Sequence, residues 1–222
     1  IGTDEDRRND WFATFYADVQ YADGSMIDSS PSNRVVIGWE NEATFGFDAA
    51  VDEALAPAYR PFGAGYATTK TGVIYSMGFD NVNQCLTTDI HPFASGSSWY
   101  IVIELGSKSI VNTEESVDVD VLTLSWDPIA MPNQSTGNLS ITRMYRSDNG
   151  IFSAVPGTMQ NIQLNEAGSI DFSLSEIDNL QTDVNGQRFV VFRVSLGGSD
   201  NLYTMSLDKG WNAVSFPITP LN

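Results

Sequence analysis

Group-transfer chemistry asks a sequence for a nucleophile and a base within reach of each other. This chain offers one histidine, His91, and one cysteine, Cys85, in the same stretch of alternating residues. At the rise of a β-strand the two side chains would share a face but lie roughly 20 Å apart, too far for a Cys–His dyad. No serine sits in a G-x-S-x-G elbow. The expectation is that Cys85 is a small core residue, that His91 is a polar residue at a strand end, and that the chain is not an enzyme. A glycosidase would need two carboxyls held across a sugar cleft. With 28 acidic side chains some pair always looks available, so that signal is unspecific.

Calcium is the more pointed site chemistry, because it gathers six to eight oxygens from carboxylates, amides and backbone carbonyls on loops. Asp18, Asp23 and Asp28 surround the first turn. Asp48, Asp52 and Glu53 lie in a long loop, and Asp178, Asp183 and Asn185 near a late hairpin. None has the spacing of an EF-hand, and Asp and Asn also favour turns because they bond their own backbone. The sequence therefore requires no cofactor and points to calcium as the one to consider. Glycan binding would use exposed aromatic platforms: Trp39 beside a strand, and Tyr59 and Tyr66 in the long loop, are the candidates. Asn133-Gln134-Ser135 and Asn138-Leu139-Ser140 are glycosylation tripeptides of the kind that arise often by chance.

Composition narrows the partners. Eleven Lys and Arg against 28 Asp and Glu give a formal net charge of −17, which repels a phosphate backbone, so nucleic acid is excluded as a partner. No run of about 18 apolar residues exists to span a bilayer as a helix. The lone cysteine forbids an internal disulfide. A start at Ile1 rather than Met fits a processed chain. Acidity, few lysines and many Asn, Ser, Thr and Gly residues point to a secreted or cell-surface protein.

The elements that would carry these residues are strands. Residues 11–21 alternate, with Trp11, Phe15, Val19 and Tyr21 on one face, and end at the Asp23-Gly24 turn. Further strands are expected at 34–39, 72–79, 84–91, 99–105, 117–126, 138–145, 158–164, 169–174, 188–196, 202–207 and 213–216. A helical turn is expected near 175–178. Gly, Pro, Asn and Asp clusters separate the strands, the pattern of an antiparallel β-sandwich, jelly-roll-like or built of two packed halves, with a long ordered loop over 40–66. A polar stretch at 106–116 suggests halves at 11–105 and 117–196, with an N-terminal segment 1–10 and a C-terminal strand segment 197–222. One large sandwich over 11–217 fits equally.

Two stretches carry a resemblance. The run from Leu207 through Gly210-Trp211-Asn212-Ala213-Val214-Ser215-Phe216-Pro217 resembles a G-W-N-x-(I/V)-S-x-P segment of multidomain secreted and surface proteins of bacteria and archaea. The run Ala43-Thr44-Phe45-Gly46-Phe47-Asp48, continuing to Asp52, resembles the A-T-D-G-Y-D-x-x-x-D-x-P loop of β-sandwich modules in such proteins. Here Phe45 replaces the usual Asp and Ala56 departs from the proline pattern. The resemblance implies a non-catalytic spacer, adhesion unit or surface-array part. The C-terminal segment, with Trp211, Val214, Phe216 and Ile218, could fold back onto this sandwich or complete a neighbour's sheet by strand addition. The expectation is that the N- and C-terminal segments link copies of the chain. The expected function is a self-associating subunit of a surface filament or array. The alternative is a carbohydrate-binding or adhesion module of a larger secreted protein.

Overall fold

The computed structural model describes residues 10–27, 33–40, 42–44, 46–54, 72–77, 85–92, 97–107, 118–129, 138–146, 152–173, 181–182 and 187–196. Their regular structure is all β. The strands are β1 (Trp11–Tyr21), β2 (Met26–Ile27), β3 (Arg34–Trp39), β4 (Glu53–Ala54), β5 (Ile74–Met77), β6 (Cys85–His91) and β7 (Ser98–Ser107), followed by β8 (Val119–Trp126), β9 (Asn138–Arg146), β10 (Phe152–Ala154), β11 (Gln160–Gln163), β12 (Gly168–Ser173), β13 (Gln181–Thr182) and β14 (Gln187–Leu196). The expected strands at 202–207 and 213–216 and the turn at 175–178 lie outside the described residues, as does most of the long loop.

All fourteen strands join one sheet, with the order β10-β9-β14-β7-β5-β6-β3-β1-β8-β12. β11 adds to β9, β13 to β14, β2 to β1 and β4 to β6. Strands from 11–105 and 117–196 pair directly, β1 with β8 and β7 with β14. One pair departs from the antiparallel pattern: β3 and β6 run parallel, Val36 opposite Thr88 through Trp39 opposite His91. A parallel neighbour cannot be reached by a hairpin, and the long connection from Trp39 to Cys85 supplies the crossover.

Alternation explains the packing. β1 buries Trp11, Ala13, Phe15, Ala17, Val19 and Tyr21 on one side. Those side chains meet Ile37 of β3, Leu122 and Leu124 of β8, Ile101 and Ile103 of β7 and Phe192 of β14 in one large core. Burying each of the larger ones contributes about 1.5–3 kcal/mol. The sheet curls far enough for Phe172 on β12 to lie 4.7 Å, ring centre to ring centre, from Phe192 on β14. The opposite face carries a second, smaller cluster of Tyr75, Met77, Cys85, Val102, Met144, Phe189 and Val191. Neighbouring residues of β7, such as Ile101 and Val102, thus serve different cores.

Three bulges interrupt the described ladders; on β8, Val121 opposes Gln20 and Val119 opposes Tyr21, leaving Asp120 as an extra residue. On β7, Glu104 opposes Phe189 and Gly106 opposes Arg188, leaving Leu105 as an extra residue. Its carbonyl accepts from the Tyr21 hydroxyl at 2.8 Å and from Arg188 Nη2 at 3.3 Å. On β6, Leu86 opposes Ala54 and Thr88 opposes Glu53, so Thr87 is the extra residue. That bulge turns the alternation over. Cys85 consequently faces the second cluster while Asp89 and His91 face the main core.

Candidate functional site

Three polar groupings are built on this frame. The first lies inside the main core, at the end walled by Trp11, Trp39 and Trp99, whose ring centres stand 5.6–6.4 Å apart. Ser76 of β5 donates a short hydrogen bond to one Asp89 oxygen, and His91 Nε2 lies 3.0 Å from the other. The His91 ring stacks on Trp99 with centres 5.0 Å apart, and Trp99 Nε1 donates to the Asp89 carbonyl. Ser76, Asp89 and His91 are all buried. The residue types are those of a hydrolytic triad, but the order differs. In a triad the imidazole stands between serine and carboxylate and takes the serine proton. Here the carboxylate stands in the middle, so the contacts anchor Asp89 rather than activate Ser76.

The anchor extends into the long loop. Asp52 Oδ1 accepts the Ile90 N–H at 2.8 Å and its Oδ2 accepts the Asp48 N–H at 2.7 Å, pinning 48–52 against β6. Burial raises the Asp52 pKa above the usual carboxylate value. The two backbone donors pull it back, the Asp89 charge adds to the rise, and His91 opposes it.

The second grouping lies on the other face. The Tyr75 hydroxyl donates to Glu104 Oε1 at 3.1 Å, both residues being buried. Burial, the Glu104 charge and Cys85 hold the Tyr75 pKa well above its ordinary value, so the phenol stays neutral and donates.

The third grouping is open to solvent. β9 separates from β14 after Met144, leaving a cleft of about 330 Å³ bordered by Arg143, Tyr145, Ser153, Val155, Pro156 and Val190.

No family model, curated protein or solved structure matches this chain. The functional reading therefore rests on geometry.

The structure disperses several candidates. Asp23 is engaged in its own turn: its Oδ1 accepts the Ser25 N–H and hydroxyl, and Gly24 supplies the positive φ of 83°. Asp48 Oδ1 accepts the Ala50 N–H at 3.0 Å, again turn chemistry. Asp18 sits half-buried on β1. Among the described residues no three His, Cys, Asp or Glu side chains are close enough together to hold a metal ion. Asp28, Asp178 and Asp183, the aromatics Tyr59 and Tyr66, and the assembly residues Trp211, Val214, Phe216 and Ile218 lie outside the described residues.

Two sequence expectations need correcting. Trp39 is only 2% exposed, packed against Trp11 and Trp99, so its ring presents no platform to a sugar. His91 does end β6, but it does not share a face with Cys85, because the Thr87 bulge puts the two on opposite faces. The Asp89-x-His91 alternation was the available signal for the buried anchor. Its partner Ser76 is distant in sequence, and no local pattern announces it.

Proposed function

We propose that the chain is a non-catalytic extracellular structural protein whose copies associate by strand addition into a surface filament or array. The observation that carries this reading is the β12 edge. β12 follows β8 through six consecutive pairs, Gly168–Trp126 to Ser173–Val121, with no register shift. Among the described residues it has no strand on its outer side. Natural edges are protected by Lys, Pro, bulges or short length. β12 has none of these in GSIDFS, and its one charge, Asp171, is engaged by the Thr123 hydroxyl at 2.7 Å. Such an edge is a template for a strand from another copy. The C-terminal Gly210-Trp211-Asn212-Ala213-Val214-Ser215-Phe216-Pro217 run, with its surface-protein resemblance, is the segment we assign as donor. The acidity and single cysteine suit an extracellular setting.

Native mass spectrometry and negative-stain imaging of the full chain test the reading. Concentration-dependent polymers are expected, and removal of 208–222 should abolish them while the melting transition persists. A full chain that stays monomeric as concentration rises, or a truncated one that still polymerises, overturns it.

A further inference from the structure

The cleft beside β9 lies where the sheet forks. β9 and β14 pair up to Met144 and Val191. Beyond that point β14 takes β13 as its neighbour, at Phe189 and Arg188, while β9 continues against β10 alone. Strand alternation places Arg143 and Tyr145 on the same face as Ile141, which is buried in the main core. Ser153, directly opposite Tyr145, projects from that face too. Along β9 this face thus passes from core at Ile141, through half-buried Arg143, to Tyr145 at 47% exposure. Val190 of β14, 4% exposed, forms the apolar wall across the fork.

The position of Arg143 is fixed by its backbone. Its N–H donates to Thr158 Oγ1 at 3.2 Å and its carbonyl accepts the Val155 N–H at 2.9 Å. Its guanidinium, like the Tyr145 hydroxyl, has no side-chain partner among the described residues. Among the described residues of a chain with 28 acidic side chains, no carboxylate pairs with this cation at the border of the cleft.

We propose that this cleft is a binding site for a small amphipathic monocarboxylate. The carboxylate pairs with Arg143, whose planar fork suits bidentate contact, and the apolar body rests between Val190 and the Tyr145 ring. The net charge of −17 selects against polyanions, because each further negative charge adds repulsion while only one guanidinium lines the cleft. A single charge on an apolar body meets the least repulsion and uses the wall. The inference is independent of strand addition at β12.

Titration of the full chain with 2-naphthoate, read by calorimetry at a concentration where it is monomeric, is the test. Saturable one-to-one binding is expected, with affinity lowered about tenfold or more in Arg143→Gln and for the uncharged 2-naphthamide. Arg143→Lys should fall between, which keeps the test open if the glutamine variant folds poorly. Ser153→Trp, which fills the cleft and keeps Arg143, should abolish binding. Galacturonate, carrying its carboxylate on a sugar, should bind more weakly than naphthoate. No saturable binding, equal affinity in Arg143→Gln, or a preference for galacturonate overturns the proposal.

Discussion

The two edges of the sheet are finished differently. At one end β9 is covered in two pieces, β11 along Asn138–Ile141 and β10 along Met144–Arg146. Between them the chain leaves the sheet in a Val155-Pro156-Gly157-Thr158 turn, with Gly157 at a positive φ of 75°. At the other end β12 runs unbroken along β8. The broken edge has a proline and short strands, and no incoming strand could lie along it for more than a few residues. The continuous edge offers six residues in register. Among the described residues the sheet blunts one end and leaves the other regular, and this asymmetry is what supports the strand addition proposed at β12.

Lysine substitution should separate the two ends most sharply. Ser169→Lys with Ser173→Lys puts two charges on the β12 edge, and polymers seen by negative stain should disappear while the thermal transition stays within a few degrees. Gln160→Lys with Gln163→Lys on β11 should leave assembly unchanged. Equal loss from both pairs would mean that net charge, rather than the β12 edge, controls association. Gly168→Ala attacks the same edge from within. A Cβ there would sit 2.4 Å from the Trp126 indole, whose Nε1 donates to the Gln163 and Glu166 carbonyls. A loss of about 1–3 kcal/mol is expected in denaturant unfolding, the range for overpacking a filled site.

The contrast between the edges was only partly legible in the sequence. Alternation in residues 11–21 and 119–126 is strong because one side of each strand is buried in a large core. Residues 187–196 instead read as an apolar run, because Phe189 and Val191 pack in one cluster and Val190, Phe192 and Val194 in the other. No local pattern around Pro156-Gly157 shows that the two strands flanking that turn share β9 as a neighbour. The parallel β3–β6 pair was invisible, since strand direction is set by a crossover rather than by local pattern. The bulges at Leu105 and Thr87 were invisible for a related reason: each is defined by the partner strand. The Thr87 bulge matters most, because it decides which core receives His91. In the same way Arg143 and Tyr145 read as alternating strand residues until the fork beside them is known.

Smaller effects probe what holds each end. At the broken edge Thr158 Oγ1 donates to the Val155 carbonyl at 2.7 Å and accepts from the Arg143 N–H. Thr158→Val should cost about 1–2 kcal/mol and speed amide exchange at Arg143. Away from both edges, Asp52 provides a pH signature. Its pKa is raised in the folded chain, so the native state holds a proton that the unfolded chain has released. Its contribution therefore favours folding at acid pH and is lost as pH rises from the ordinary carboxylate value through the raised one. In Asp52→Asn that part of the stability-versus-pH slope should vanish; an unchanged slope would remove Asp52 as its source.

The smallest expected effect lies at the β12 edge itself. Asp171 and Thr123 face each other across β12 and β8 and share an exposed hydrogen bond. A double-mutant cycle with Thr123→Val and Asp171→Ala should give a coupling of about 0.2–1 kcal/mol, the usual worth of a cross-strand pair. Its consequence for assembly should exceed its consequence for folding. Freed from Thr123, Asp171 would stand as an unengaged charge at the docking edge, so Thr123→Val should weaken polymerisation and Asp171→Asn should strengthen it. Opposite signs from a substitution that removes the donor and one that removes the charge while keeping an acceptor would separate edge protection from sheet stability.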